Sequence, residues 1–141
     1  MKPKTFAKSL SANDVGATGS HQAGILVPKS DPQLLAFFPR LDHTELNPDA
    51  LLIAKDDQGQ EWKFRYVYYN NRLHSETGTR NEYRLTRLTA YFDSVNAKPG
   101  DVLVFASVGG LGQYRISLQR RAAATAGSLG LIKLTGWRRV H

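Results

Sequence analysis

The chain contains no cysteine. That absence excludes a disulfide framework, a thiolate metal site and a cysteine nucleophile together. Histidine is scarce, and His21, His43 and His74 lack the H-x3-H or H-E-x-x-H spacing that would hold zinc. Long apolar runs are missing as well. No stretch nears the roughly 18 continuous apolar residues of a membrane span. Met1-Lys2-Pro3-Lys4 is not followed by the apolar run a secretory signal needs. A cytoplasmic protein with no membrane partner is the expectation. No G-x-S-x-G occurs, which argues against that serine-hydrolase arrangement. No Gly-Lys-[Ser/Thr] follows the glycine-rich stretch near the N-terminus, so it is not a nucleotide P-loop.

Acidic residues are the minority charge: 12 Asp+Glu stand against 19 Lys+Arg, for a net charge of +7. The 141 residues suffice for one compact domain with a real core. The basic residues gather at Lys2, Lys4 and Lys8, at Arg80, Arg84 and Arg87, at Arg115, Arg120 and Arg121, and at Arg138 and Arg139. Such an excess suits a polyanion. Nucleic acid fits better than anionic lipid, because no basic amphipathic helix is visible.

Strand signals dominate. From Glu61 to Tyr69 the alternation puts Trp62, Phe64, Tyr66 and Tyr68 on one face, opposite Glu61, Lys63 and Arg65. Core packing is the expectation for that aromatic face, ahead of stacking on single-stranded bases. Val102–Phe105 is apolar on both faces and reads as a central strand, and Gln113–Leu118 alternates with Tyr114, Ile116 and Leu118 inward. Gly109, Gly110 and Gly112 between these two predict an antiparallel connection. Ile25–Val27 and Leu51–Ile53 are shorter strands, with Asp56-Asp57-Gln58-Gly59 as the turn before Glu61. Ser30-Asp31-Pro32 opens one helix that Pro39 ends, and Leu88–Val95 forms a second. Several short strands with two small helices fit a barrel or sandwich better than a parallel sheet. The Ala/Gly/Thr/Ser-rich stretch from Ala122 reads as a linker, with Leu131–Leu134 a candidate last strand.

Three stretches carry candidate chemistry. In Gly78–Arg87 an extended backbone places Arg80, Glu82 and Arg84 on one face and Asn81, Tyr83 and Leu85 on the other. Arginine can donate two parallel bonds to guanine O6 and N7, and a carboxylate can accept from cytosine N4. Ser11–Gln22 is small, polar and glycine-rich, which lets backbone N–H groups approach phosphate while Asn13 and Gln22 donate to base edges. Third, Asp49 followed by Glu61-Trp62-Lys63 has the pattern in which two carboxylates hold Mg²⁺ and a lysine assists attack on phosphate. The two halves lie on one predicted hairpin, although charged strand faces produce so short a pattern by chance.

Ser11-Ala12-Asn13-Asp14, Gly16-Ala17-Thr18-Gly19, His21-Gln22 and Gly24, together with Tyr68-Tyr69-Asn70, Arg72 and Thr79–Arg87, resemble the N-terminal effector domain of EcoRII-type restriction endonucleases. His43–Pro48 adds to the match, which runs in order over about residues 8–90. Lys98–Phe105 and Tyr114–Ile116 are similar to the closing strands of B3-type DNA-binding domains.

The resemblance implies a mainly β fold, the B3-type pseudobarrel: an open β-barrel with two short helices that grips duplex DNA between two arms from the major groove. It implies a bacterial, cytoplasmic protein reading a short site of the CC(A/T)GG type. On this basis Arg80, Glu82 and Arg84, with Asn81, Tyr83, Asn13, Asp14 and His21, are expected at the bases. Lys8, Thr18, Gly19, Ser20, Gln22, Arg72, Thr79 and Arg87 are expected at the DNA backbone. Residues 1–121 would form the pseudobarrel and 122–141 a linker-like tail, holding a last strand or leading into a nuclease domain. Double-stranded DNA is the expected partner, and a nuclease domain in the same or another chain a further one. Binding is expected to need no cofactor, with Mg²⁺ required only where a nuclease domain is attached. The chain alone is expected not to be catalytic. Two lysines of the family's C-terminal arm are replaced here by Gly78 and Tyr83. The alternatives are a small Mg²⁺-dependent nuclease using Asp49, Glu61 and Lys63, a B3-type transcription regulator, and a single-strand binder.

Overall fold

Eight strands form one sheet in the computed structural model, which describes residues 4–16, 24–109, 112–120 and 137–140. In chain order they are β1 (Thr5–Ser9), β2 (Ile25–Val27), β3 (Asp49–Lys55), β4 (Glu61–Tyr69), β5 (Glu82–Thr86), β6 (Val102–Ser107), β7 (Gln113–Gln119) and β8 (Trp137–Val140). Three short helices interrupt them: α1 (Pro32–Phe37), α2 (Asn71–His74) and α3 (Thr89–Val95).

The sheet order is β2-β5-β4-β3-β7-β6-β1-β8, antiparallel throughout except for β3 beside β7. The outermost strands, β2 and β8, come back together. The indole N–H of Trp137 donates to the Leu26 carbonyl at 3.0 Å, so a side chain rather than a ladder closes the barrel. Both edges are thereby drawn together, which limits the unpaired backbone open to foreign strands. The fold is the mainly β, B3-type pseudobarrel.

The local signals explain most elements. On β4, Phe64, Tyr66 and Tyr68 are buried as the alternation requires, and Trp62 packs against the same core. The Asp56–Gly59 turn is held by the Asp56 carboxylate, which accepts from Gln58 N, Gln60 N and the Trp62 indole, while Gly59 supplies a positive φ of 79°. These bonds, led by the Trp62 indole, hold the Asp56 carboxyl below its ordinary range. Asp31 caps α1 by accepting from Leu34 N at 3.1 Å. Phe38 leaves the helix in extended geometry ahead of Pro39 and turns its ring inward. There it stacks on Tyr66 at 4.8 Å and meets Phe37, Phe105, Tyr114 and Trp137. Burial pushes the Tyr114 hydroxyl strongly upward from its ordinary pKa, and that hydroxyl donates to Phe37 O at 2.7 Å.

Three elements have no counterpart in the sequence reading. Strand β1 carries Lys8 in a basic stretch that does not alternate. Helix α2 is a single turn. The last described strand is β8 rather than the candidate at Leu131–Leu134, which lies outside the described residues.

Candidate nucleic-acid interface

Pairing of β5 with β4 builds the charged face. The register sets Glu82 opposite Tyr69, Tyr83 opposite Tyr68, Arg84 opposite Val67 and Leu85 opposite Tyr66. Leu85 is fully buried. Tyr83 lies flat on Tyr68, with centroids 4.1 Å apart and planes within 4°. The Tyr68 hydroxyl donates to Asn81 Oδ1. Arg80, Glu82 and Arg84 take the other face, the division the period of two required. Asn81 and Tyr83 are thus engaged with the aromatic wall on the side away from the three charges.

The three charged side chains form one assembly. Glu82 accepts from Arg84 Nε at 2.5 Å through one oxygen and from Arg80 Nε at 3.3 Å through the other. Partial burial by itself works to raise the Glu82 pKa. The Arg84 hydrogen bond and charge, reinforced by Arg80, outweigh it, and the net shift is downward. The carboxyl is therefore ionised throughout the neutral range. Arg84 Nη1 also donates to Gly24 O at 3.1 Å, immediately before β2. Gly24 has φ +88°, and a Cβ there would strike the Leu85 carbonyl, so only glycine lets the two strands approach this closely.

Arg80 precedes β5 and is held from behind. Its backbone N–H donates to Asn71 Oδ1 at 2.8 Å, and its carbonyl accepts from Arg72 N at 3.0 Å. Gly78 sits against the same turn, where a Cβ would collide with the Asn71 backbone. The glycine thus does more than subtract a family lysine's charge. Any side chain at 78 would push the arm off α2, so the loop here follows a path a lysine could not.

The base of this arm is clamped by Asn70, which is completely buried. Its Oδ1 accepts from Asn47 N at 2.8 Å, and its amide donates to Glu45 O at 2.8 Å and His43 O at 3.2 Å. Asn47 Oδ1 accepts in return from Asn70 N at 3.1 Å. Asn70→Ala would orphan Asn47 N and Glu45 O, each worth about 1–3 kcal/mol when left dry, while His43 O keeps the His74 ring nitrogen at 3.2 Å. With part of that recovered by water, a loss of about 2–3 kcal/mol in urea unfolding is expected. A change below about 0.5 kcal/mol would mean that the clamp contributes nothing beyond an ordinary surface position.

The other arm is described only over Ser11–Gly16. Ser11 and Asp14 exchange bonds: Ser11 N donates to Asp14 Oδ2 at 2.9 Å, and Asp14 N to Ser11 Oγ at 3.1 Å. Lys8 departs from the expectation of a backbone clamp. It is 7% exposed, and its ammonium bonds Asp14 Oδ2 at 2.9 Å and Ser9 O at 3.0 Å. A buried ammonium must be paired, so Lys8 anchors the loop and occupies the Asp14 carboxylate. Asn13 is exposed on this turn. Thr18, Gly19, Ser20, His21 and Gln22 lie outside the described residues. Arg72, Thr79 and Arg87 are exposed around the charged assembly's strand and loop, and Arg87 adopts a left-handed φ of 66°.

The structure corrects the metal-site alternative. Asp49 and Glu61 do share the β3–β4 hairpin, but at opposite ends: Asp49 faces Val67, and Glu61 faces Lys55. Six residues of strand separate them by about 20 Å. Two carboxylates binding one Mg²⁺ must each place an oxygen about 2 Å from it. Asp49 is instead paired with Arg65 at 2.6 Å. Of the four aromatics considered for stacking on single-stranded bases, Tyr66 and Tyr68 are core residues and Trp62 packs against the same core, while Tyr69 lies outside it. Sequence reasoning missed Asn70, Asn71 and Gly24, which position the face without being charged. It also grouped Tyr69 with Trp62, Tyr66 and Tyr68 as a core aromatic, whereas Tyr69 lies opposite Glu82 on the outer face.

The family model "Restriction endonuclease EcoRII, N-terminal" matches residues 2–114. The type II restriction enzyme EcoRII of Escherichia coli is 44% identical over 85 residues, covering 58% of this chain and 20% of the relative. Auxin response factor 10 of Arabidopsis thaliana is 36% identical over 107 residues, 74% of this chain and 13% of the relative. Auxin response factor 8 of Oryza sativa subsp. japonica is 32% identical over 142 residues, 96% of this chain and 18% of the relative. The chain thus spans about a fifth or less of the length of these relatives. With a mainly β pseudobarrel and a family match over most of its length, the chain belongs to the family of the N-terminal domain of restriction endonuclease EcoRII.

Proposed function

We propose that this chain is a sequence-specific double-stranded DNA-binding domain, the target-recognition part of a restriction endonuclease. It reads a short G·C-containing site of the CC(A/T)GG type with two arms in the major groove. The observation that carries this reading is the Arg80–Glu82–Arg84 assembly on one face of β5. The terminal NH2 groups of Arg80 make no hydrogen bond among the described residues, and they can approach guanine O6 and N7 while Glu82 accepts from cytosine N4. Asn13 and His21 contribute from the other arm, while Asp14 and Lys8 hold that arm's shape. Asn81 and Tyr83 keep β5 flat against β4. Arg72, Thr79 and Arg87, with Thr18, Gly19, Ser20 and Gln22, contact phosphates.

In this reading the chain binds without cutting and needs no cofactor. Mg²⁺ serves only a nuclease domain, in the same or another chain, to which the stretch 122–141 would lead. Trp137–Val140 within that stretch also completes the sheet. The test is gel-shift binding at moderate salt with Mg²⁺ present, comparing a CC(A/T)GG duplex with a scrambled duplex of equal composition. Selective retention of the uncut CC(A/T)GG duplex is expected. Equal weak binding to both would defeat the assigned target, and cleavage would defeat the binding-only role. Arg87→Ala should weaken every duplex alike and lower the salt slope by about one unit. A loss confined to one sequence would contradict its phosphate role.

A transcription regulator is the second reading, favoured by the match of an auxin response factor across 96% of the chain. It would bind DNA through the same face. Cleavage by the full-length protein containing this chain would rule it out.

A further inference from the structure

Tyr69 occupies a place that neither the core nor the proposed base contacts account for. It ends β4 on the outer face, directly opposite Glu82 in the register. The Arg80 guanidinium carbon lies 3.8 Å from the centre of its ring. That is a cation–π stack, in which the ring's negative face meets a planar cation. Arg65, four residues before Tyr69 on the same face of β4, is fixed by its 2.6 Å bond to Asp49. Asp49, Arg65 and Tyr69 thus lie on the outer face of the β3–β4 hairpin, with Asp49 bonded to Arg65 and Arg80 over the Tyr69 ring.

Arg80 needs that support. Its side chain is about one-third exposed, and a free guanidinium on a long stem samples many rotamers. A fork that must meet guanine with two parallel bonds gains from being set in one plane beforehand. Glu82 alone does not set that plane, because its bond to Arg80 Nε is long at 3.3 Å. The ring does, since a guanidinium carbon 3.8 Å from its centre leaves the fork little room to swing.

We propose that Tyr69 is a positioning residue for sequence recognition, orienting Arg80 for its base while making no base contact of its own. This rests on the reading of Arg80 as a base reader.

The test uses the full chain and the duplex that wild type enriches most from a randomised pool, with selectivity taken as the ratio of Kd for a scrambled duplex to Kd for that duplex. Tyr69→Phe keeps the ring and should hold selectivity within about 2-fold. Tyr69→Leu should reduce it about 3- to 10-fold, with the salt slope unchanged because no phosphate cation is lost. In an Arg80→Ala background, Tyr69→Leu should add nothing, the sign of two residues acting as one unit. The Arg80 side-chain proton resonances of the DNA-free chain should also lose their ring-current shift in Tyr69→Leu and keep it in Tyr69→Phe. Unchanged selectivity in Tyr69→Leu, or an equal loss with and without Arg80, would overturn the positioning role while leaving the DNA-reading assignment intact. An Arg80→Ala chain that selects as well as wild type, or a wild type that enriches no sequence, would overturn both.

Discussion

Arg80→Ala combined with Arg84→Ala is expected to abolish discrimination between the cognate duplex and a scrambled one while leaving non-specific binding measurable. Each bidentate arginine–guanine pair supplies about 1–3 kcal/mol of discrimination, so simple addition would give the double variant a loss of about 2–6 kcal/mol, a drop of tens to tens of thousands of fold. The two single losses are not expected to add. Both arginines bond the same carboxylate, and residues sharing a partner couple by about 0.5–3 kcal/mol. Arg84→Ala should be the more severe single change, because Arg84 also holds Gly24 O immediately before β2. In the proposed reading, losing it removes one base reader together with the hydrogen bond to Gly24 O. Fluorescence anisotropy with cognate and scrambled duplexes at matched salt measures both effects. Non-specific affinity should weaken only modestly, since the proposed phosphate contact at Arg87 and the remaining net positive charge are kept. An equal loss on both duplexes would show that the pair merely supplies charge.

Phe38→Ala is expected to destabilise the fold by about 3–5 kcal/mol. Phe38 is 2% exposed, and its ring touches rings from α1, β4, β6, β7 and β8. It is thus the point at which strands distant in sequence meet. Its removal would leave a cavity that no single neighbour can fill, because each is fixed by its own strand. For a domain of this size the cost corresponds to a fall in Tm on the order of 10–20 °C. Thermal unfolding followed by circular dichroism measures it. A fall of less than a few degrees would mean that the aromatic cluster repacks freely. Trp137 belongs to the same cluster and also closes the barrel, so the variant should loosen β8 before the centre of the sheet.

Strands β4, β6 and β7, the capped start of α1 and the turn at Asp56 were all legible in the sequence. Each depends on residues a few positions apart: alternation that must turn apolar side chains one way, an aspartate that can reach its own helix N–H, a glycine that allows a positive φ. The common face of Arg80, Glu82 and Arg84 was legible for the same reason. What the sequence by itself determined, then, is strands β2 to β7 and the division of the alternating ones into two faces.

The tertiary structure decided which faces meet. Lys8 reads as a surface cation until Asp14 folds over it. Asp49 and Glu61 look like partners until the register places them at opposite ends of the hairpin. Tyr69 looks like its neighbours Tyr66 and Tyr68 until Arg80 arrives from the far side of α2 and covers it. Gly78 reads as a lost charge until its contact with Asn71 shows a bend that excludes a side chain. Closure through Trp137 and Leu26 joins residues at opposite ends of the chain, and no local pattern encodes that bond. Alternation and capping are properties of adjacent residues, whereas register and pairing follow from contacts across long stretches of chain, whose outcome depends on how the whole core packs.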